Sequence, residues 1–116
     1  MYKLSFTTSG QYISAALFDN KLLGSFIFKS DKGSTSLLID QINELFKKVD
    51  LERKDLSVIY FDNGPGYYTG LRIGFSVAQG ICASLGIPLV PVNGLDALAF
   101  AAHTSHRKIC SLIDIK

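Results

Sequence analysis

The densest group of residues that could do chemistry is a glycine-rich segment in the middle of the chain, Gly64-Pro-Gly-Tyr-Tyr-Thr-Gly-Leu-Arg72. Glycine lets a backbone approach a ligand closely, and the N-terminus of a helix attracts anions, to which an arginine adds a positive charge. One interpretation is therefore a phosphate-binding loop formed by Gly64, Gly66, Thr69, Gly70 and Arg72.

The same segment has a structural interpretation, which we favour. It lacks the Gly-Lys-Ser/Thr of a P-loop and the third glycine of a dinucleotide fingerprint. A tight turn from strand to helix predicts an unusual backbone conformation at Gly66 or Gly70. Thr69 would then cap the helix that follows.

Acidic and histidine side chains offer little further chemistry. A ribonuclease H-type nuclease would need a carboxylate in the middle of the first strand, where residues 6–8 are Phe-Thr-Thr. Asp62, beside the glycine loop, is the best-placed carboxylate, and we predict that it stabilises a turn. His103 and His106 have no Cys or Glu placed to complete a metal site. The sequence therefore predicts neither a catalytic residue nor a metal site.

Hydrophobic periodicity predicts the elements that position these residues. The predicted strands and helices are, in order, strands 2–7, 12–18 and 22–28, a helix from Ser34 or Thr35 to Val49, strand 56–61, helix 71–85, strand 87–92, helix 95–102 and strand 108–115. The order βββαβαβαβ is typical of an α/β fold, a mixed five-stranded sheet with helices on both faces. Its last strand would lead out of the domain.

The helix predicted over residues 71–85 is apolar on nearly all sides, which predicts burial on all sides. One face must cover the sheet. The other face requires either the helix of residues 35–49 or a helix pair of a partner, and the sequence leaves both alternatives open. The second alternative assigns a partner interface to Leu71, Ile73, Gly74, Val77 and Ile81.

Composition limits the function classes. A chain of 116 residues fits one domain, and a net charge of +2 lacks the basic excess of a stand-alone nucleic-acid binder. Cys82 and Cys110 lie in apolar surroundings, which predicts buried, reduced thiols in a cytoplasmic protein. There is no signal peptide, and no apolar run reaches the roughly 18 residues of a membrane span.

Three segments resemble the TsaB (YeaZ) family. The most specific is Gly64-Pro-Gly-Tyr-Tyr-Thr-Gly-Leu-Arg-Ile-Gly74, which continues into Ala78-Gln-Gly80. The second is Pro91-Val-Asn-Gly-Leu-Asp-Ala-Leu-Ala99, and the third, Ser111-Leu-Ile-Asp114, is similar to the strand that leads into the family's second domain. The resemblance spans nearly the whole chain, and its central motif is long enough to be specific.

The resemblance implies that residues 1–116 form a single actin-like domain, the amino-terminal domain of a TsaB-like protein without its second domain. The implied fold is related to actin, sugar kinases and ribonuclease H (the ASKHA group). TsaB-like proteins pair with the catalytic homologue TsaD and with the ATPase TsaE. Together they place a threonylcarbamoyl group on the adenosine beside the anticodon of certain tRNAs.

We therefore expect a non-catalytic scaffold subunit, not an enzyme by itself, that meets tRNA only indirectly, has no membrane contact and forms a homodimer in isolation. No cofactor is assigned to the chain, although ATP or ADP could bind in the complex. The alternative is a small actin-like ATP-binding enzyme or kinase half that uses the Gly64–Arg72 loop. TsaB relatives commonly carry Asp at the position of Thr7, and this departure argues against nucleotide-phosphate or metal chemistry.

Overall fold

Five strands and three α-helices make up the part of the chain that the computed structural model describes, residues 1–104 and 106–114. The strands are β1 (Tyr2–Thr7), β2 (Tyr12–Phe18), β3 (Leu22–Lys29), β4 (Leu56–Asp62) and β5 (Leu89–Val92). The helices are α1 (Ser34–Lys48), α2 (Tyr68–Leu85) and α3 (Gly94–Ala101), with one 3-10 turn at Arg53–Asp55. The order βββαβαβα agrees with the sequence prediction up to the end of α3.

The predicted final strand is wrong. Residues 108–114 form neither helix nor strand, and residue 115 lies outside the described residues. The hydroxyl of Ser111 donates to the carbonyl of Leu95 at 2.8 Å, which attaches this segment to α3. An apolar run becomes a strand only where a neighbouring strand supplies backbone hydrogen bonds, and a helix cannot do so.

The strands form one mixed five-stranded sheet, as predicted, and their order in it is β3-β2-β1-β4-β5. β1, β2 and β3 make an antiparallel meander, whereas β4 runs parallel to both β1 and β5. In this register Leu4 lies between Leu17 and Ile59. Because side chains alternate between the faces of a sheet, the large apolar residues of β1, β2 and β4 collect on one face.

The two faces of the sheet are covered differently. α1 and α2 lie side by side on the apolar face and bury one continuous core, whose strand residues include Leu4, Leu17 and Ile59 with no exposed surface. α3 lies over the opposite face, where a groove of about 980 Å³ separates it from small side chains such as Ser5 and Ala16. The sheet therefore has helices on both faces, but the α3 side is only partly covered.

The start of α3 is fixed by a side-chain cap at Asn93. Its Oδ1 accepts hydrogen bonds from the backbone N–H groups of Leu95 (2.9 Å) and Asp96 (3.1 Å). We expect Asn93→Ala to lower the free energy of unfolding by about 1 kcal/mol, because two backbone donors lose their acceptor. Urea unfolding measures this loss. Asn93→Asp, which keeps the acceptor, should unfold close to the wild type, and an equal loss in both variants would contradict the cap.

The prediction of two buried thiols is half correct. Cys82 is buried on α2, and burial raises the pKa of its thiol, whereas Cys110 is exposed in the segment after α3. Both are free thiols. The difference follows from the missing last strand, because without it Cys110 has no sheet to pack against.

No helix within residues 1–104 and 106–114 combines the length and apolar character that a membrane crossing requires.

Candidate functional site

The glycines of the central loop allow close packing within the chain itself. Gly66 lies against Ser9, where an added Cβ would come within 2.9 Å of the Ser9 Cα, and the Tyr67 N–H donates to the Ser9 carbonyl at 2.7 Å. Gly70 lies against the carbonyl oxygen of Thr8, and the Thr8 hydroxyl donates to the Gly70 carbonyl at 2.7 Å. The loop is therefore packed onto the turn between β1 and β2.

The backbone of this loop differs from the prediction in two respects. The positive φ falls on Gly64 (100°), whereas Gly66 and Gly70 have no such conformation. Tyr67 is the N-cap of α2 and no side chain caps the helix, so Thr69 lies inside the first turn. The glycine pattern predicted a turn here. The structure shows which glycine has the positive φ and which two allow close contact with Thr8 and Ser9.

Three backbone N–H groups of this segment are already used within the chain. The N–H of Gly64 donates to Asp62 Oδ1 (2.9 Å) and that of Leu71 to the carbonyl of Tyr67 (2.9 Å). Arg72 is exposed, with its guanidinium over the ring of Tyr68 at 5.5 Å from the centroid. An anion site needs N–H groups that point to a common centre, and those of Gly64, Tyr67 and Leu71 are already used.

A polar cluster that the sequence did not predict lies beside the loop. Thr7 and Ser9 both donate from their hydroxyl groups to Oδ2 of Asp62, at 2.5 and 2.7 Å. The Ser9 N–H donates in turn to the Thr7 hydroxyl at 3.3 Å. Because β1 and β4 are parallel neighbours, their carboxyl ends meet at one edge of the sheet. The position of Thr7 and Asp62 at these two ends was the signal that could have revealed the cluster.

Two residues of the predicted partner interface make contacts within the chain. Gly74 is buried against Thr8 and Phe61, and an added Cβ would lie 3.0 Å from the Phe61 ring. Leu71 approaches Gly64, with its Cδ1 3.1 Å from the position of an added Cβ there. The close approach at Gly74 and the Leu71 side chain therefore both hold α2 to the rest of the domain.

Two of the other three residues, Val77 and Ile81, line a groove between α1 and α2. Val77 is only 8% exposed and Ile81 is partly buried against the core, and both line the groove. Ile73 is half-buried and does not line it. The groove measures about 400 Å³ and its α1 wall includes Ile39, which is 41% exposed. α1 therefore covers only part of α2.

The prediction that α2 is buried on all sides is also wrong. Phe75 is 47% exposed, although its ring lies 6.0 Å from that of Phe61. Only α1 accompanies α2 on this face of the sheet, because α3 lies on the opposite face. The apolar composition of α2 thus leaves exposed hydrophobic surface rather than a buried helix.

The histidines and carboxylates do not assemble into a metal site in the described part of the chain. Within residues 1–104 and 106–114, no three His, Cys, Asp or Glu side chains come close enough together to hold an ion. His103 stacks on Phe100, with ring centroids 5.0 Å apart, and its Nδ1 is 2.9 Å from the Phe100 carbonyl.

The chain is similar to proteins of threonylcarbamoyl-tRNA synthesis. The family described as "TsaD: tRNA N6-adenosine threonylcarbamoyltransferase" matches residues 29–115. The "tRNA threonylcarbamoyladenosine biosynthesis protein TsaB" of Buchnera aphidicola subsp. Acyrthosiphon pisum is 33% identical over 105 residues, which is 90% of this chain and 46% of that protein. The chain spans about half the length of the curated TsaB relatives it matches.

Solved structures agree on the fold and on the family. The chain superposes on YeaZ from Pseudomonas aeruginosa with a TM-score of 0.81 and 28% identity, over 88% of this chain and 48% of that one. A ROK hexokinase from Thermus thermophilus has a TM-score of 0.59 at 21% identity, over 89% of this chain and 37% of that one. The hexokinase likeness concerns the fold alone, which is actin-like as expected. The chain therefore belongs to the TsaB (YeaZ) family and carries its TsaD-like domain.

Proposed function

We propose that this protein is a non-catalytic scaffold subunit that binds a TsaD-like catalytic protein during the synthesis of threonylcarbamoyladenosine in tRNA. In this proposal a TsaE-like ATPase joins the complex, tRNA is met through the catalytic partner, and the work is done in the cytoplasm. The similarity to TsaB proteins supports a role in threonylcarbamoyladenosine synthesis, and the α1–α2 groove supports the scaffold role.

The groove is the observation that carries the proposal. Its walls include apolar side chains from both helices, among them Val77 and Ile81 on α2, and Ile39 on the α1 wall remains 41% exposed. Exposed apolar surface of this kind marks docking sites for other proteins. Small residues at its edge, Gly80 and Ser84, would let another helix approach closely.

A TsaD-like partner fits this face because it shares the fold. Residues 29–115 match the TsaD family, so a TsaD-like protein has counterparts of α1 and α2 on its own sheet. Two related domains can pair through equivalent faces, as the two copies do in a symmetric dimer. Their helix pairs would then form a four-helix arrangement that buries both grooves.

We expect Ile39→Asp to weaken the complex without unfolding the chain. A carboxylate in an apolar contact must be desolvated, which should raise Kd by about 10- to 100-fold. Size exclusion with light scattering, followed by titration calorimetry with the TsaD-like protein of the same organism, measures the effect. Ile27→Asp is the matched control, since Ile27 is 69% exposed on the opposite face of the sheet.

Each result bears on the proposal. A complex lost in Ile39→Asp and kept in Ile27→Asp would support both the scaffold role and the groove. A complex that survives Ile39→Asp would place the interface elsewhere, and a folded wild type that fails to bind the TsaD-like protein would contradict the scaffold role. A homodimer of the isolated chain that Ile39→Asp disrupts would show that a second copy uses the same face when the partner is absent.

A further inference from the structure

The cluster of Thr7, Ser9 and Asp62 lies at the carboxyl ends of β1 and β4, apart from the α1–α2 groove. Strand order changes direction at this point, since β1 leads back to β2 while β4 leads on to β5. Ligands of open α/β sheets bind outside such switch points. The resemblance leaves ATP or ADP possible in the complex, and this edge of the sheet is where a nucleotide with its divalent cation would be expected on this chain.

The Asp62 carboxylate is poorly suited to that role, because both of its oxygens already accept hydrogen bonds within the chain. Oδ2 accepts from the hydroxyls of Thr7 and Ser9, and Oδ1 accepts from the N–H of Gly64 at 2.9 Å. A carboxylate has about four lone-pair positions, so three of them are taken. Gly94 lies against the same group, where an added Cβ would be 2.7 Å from Oδ1.

A divalent cation would need both room and charge at this place. Mg²⁺ is held about 2.0 to 2.1 Å from one or two carboxylates and keeps several waters. The cluster borders the groove of about 980 Å³ on the α3 side of the sheet, so there is room, but Asp62 is the only charged side chain among the described residues that line this groove. A cation would lack a second carboxylate there, and a nucleotide would lack a basic side chain for its phosphates. The residues present therefore do not fit a cation with its nucleotide.

We propose that Thr7, Ser9 and Asp62 form a hydrogen-bonded clasp that closes the β1–β2 turn onto β4 without a metal or nucleotide. The clasp acts together with the two contacts between this turn and α2, the Thr8 hydroxyl on Gly70 and the Tyr67 N–H on Ser9. The residue at position 7 determines its chemistry. A hydroxyl at position 7 donates to the Asp62 carboxylate and closes the turn by a hydrogen bond alone, whereas a second carboxylate would repel Asp62 and require a cation between them.

The clasp predicts that a divalent cation raises the melting temperature of one variant, Thr7→Asp, and not that of the wild type or of Thr7→Asn. In EDTA, Thr7→Asp should melt below the wild type, because two carboxylates would lie side by side. Manganese should raise its melting temperature by roughly 5 °C at about ten times Kd, since the cation binds only the folded form. The wild type and Thr7→Asn, which is the size of Asp but uncharged, should not respond to manganese with or without ATP.

Differential scanning fluorimetry in EDTA and in manganese measures these shifts, and electron paramagnetic resonance counts the bound Mn²⁺ directly. A manganese response confined to Thr7→Asp would support the clasp. The clasp would be overturned if Thr7→Asp folds and its melting temperature does not change with manganese. It would also be overturned if Thr7→Asp stays unfolded in manganese while Thr7→Asn folds. Binding of Mn²⁺ and ATP by the wild type, lost in Asp62→Asn, would overturn it independently of how the position 7 variants behave.

Discussion

Replacing Gly70 with alanine should lower the free energy of unfolding by about 3 kcal/mol, because the new methyl group would overlap the carbonyl oxygen of Thr8. That carbonyl cannot easily move aside. Thr8 is 1% exposed, and its hydroxyl is bonded to the Gly70 carbonyl itself. The gain in helix propensity from alanine, about 1 kcal/mol, offsets only part of the overlap. Urea unfolding followed by circular dichroism measures the difference.

Gly80→Ala on the same helix is the matched control. No atom lies within 4 Å of the position of an added Cβ at Gly80, so this substitution should stabilise the protein by about 0.5 to 1 kcal/mol. The two variants should therefore move the urea midpoint in opposite directions. Equal stability of both would mean that Gly70 is not in close contact with the β1–β2 turn, and that the loop is free to receive a ligand.

Val77→Asp should cost about 4 kcal/mol or more, enough to unfold much of the protein, because it places an unpaired charge in the core. Val77 is 8% exposed and belongs to the cluster that α2 buries against the sheet. Burial would raise the pKa of the introduced carboxyl above its unfolded value. The destabilisation should therefore be greatest at neutral pH and should decrease as the pH falls toward about 4, where the unfolded form also takes up the proton.

Ile39→Asp provides the comparison, since Ile39 lines the same groove but is 41% exposed. It should change the free energy of unfolding by less than about 1 kcal/mol at any pH between these values. A loss of partner binding in Val77→Asp would report unfolding, whereas the same loss in Ile39→Asp would report the interface. If Val77→Asp were as stable as Ile39→Asp, α2 would not be packed on the sheet as described.

The sequence by itself determined the elements up to α3 and the mixed character of the sheet, whereas the order of its strands came from the tertiary structure. Period-two and helical spacing of apolar residues predicted the strands and helices because burial of one face is a local property of the chain. The family was likewise evident, since the run from Gly64 to Gly74 is long and specific. The predicted last strand was wrong, because a strand needs a neighbouring strand and residues 108–114 are attached to α3 instead.

The candidate sites were decided by the tertiary structure. The favoured prediction for Gly66 and Gly70 was a tight turn, with a phosphate loop as the other interpretation, but only the structure shows that these glycines pack against Ser9 and Thr8, more than fifty residues away in the sequence. The hydrogen bonds of Thr7 and Ser9 to Asp62 likewise join residues 55 and 53 positions apart. The apolar α2 predicted burial, yet the third helix lies on the other face and leaves Phe75 exposed. The local pattern of apolar residues and glycines predicts helices, strands and turns, whereas contacts between distant segments decide what each of those residues touches.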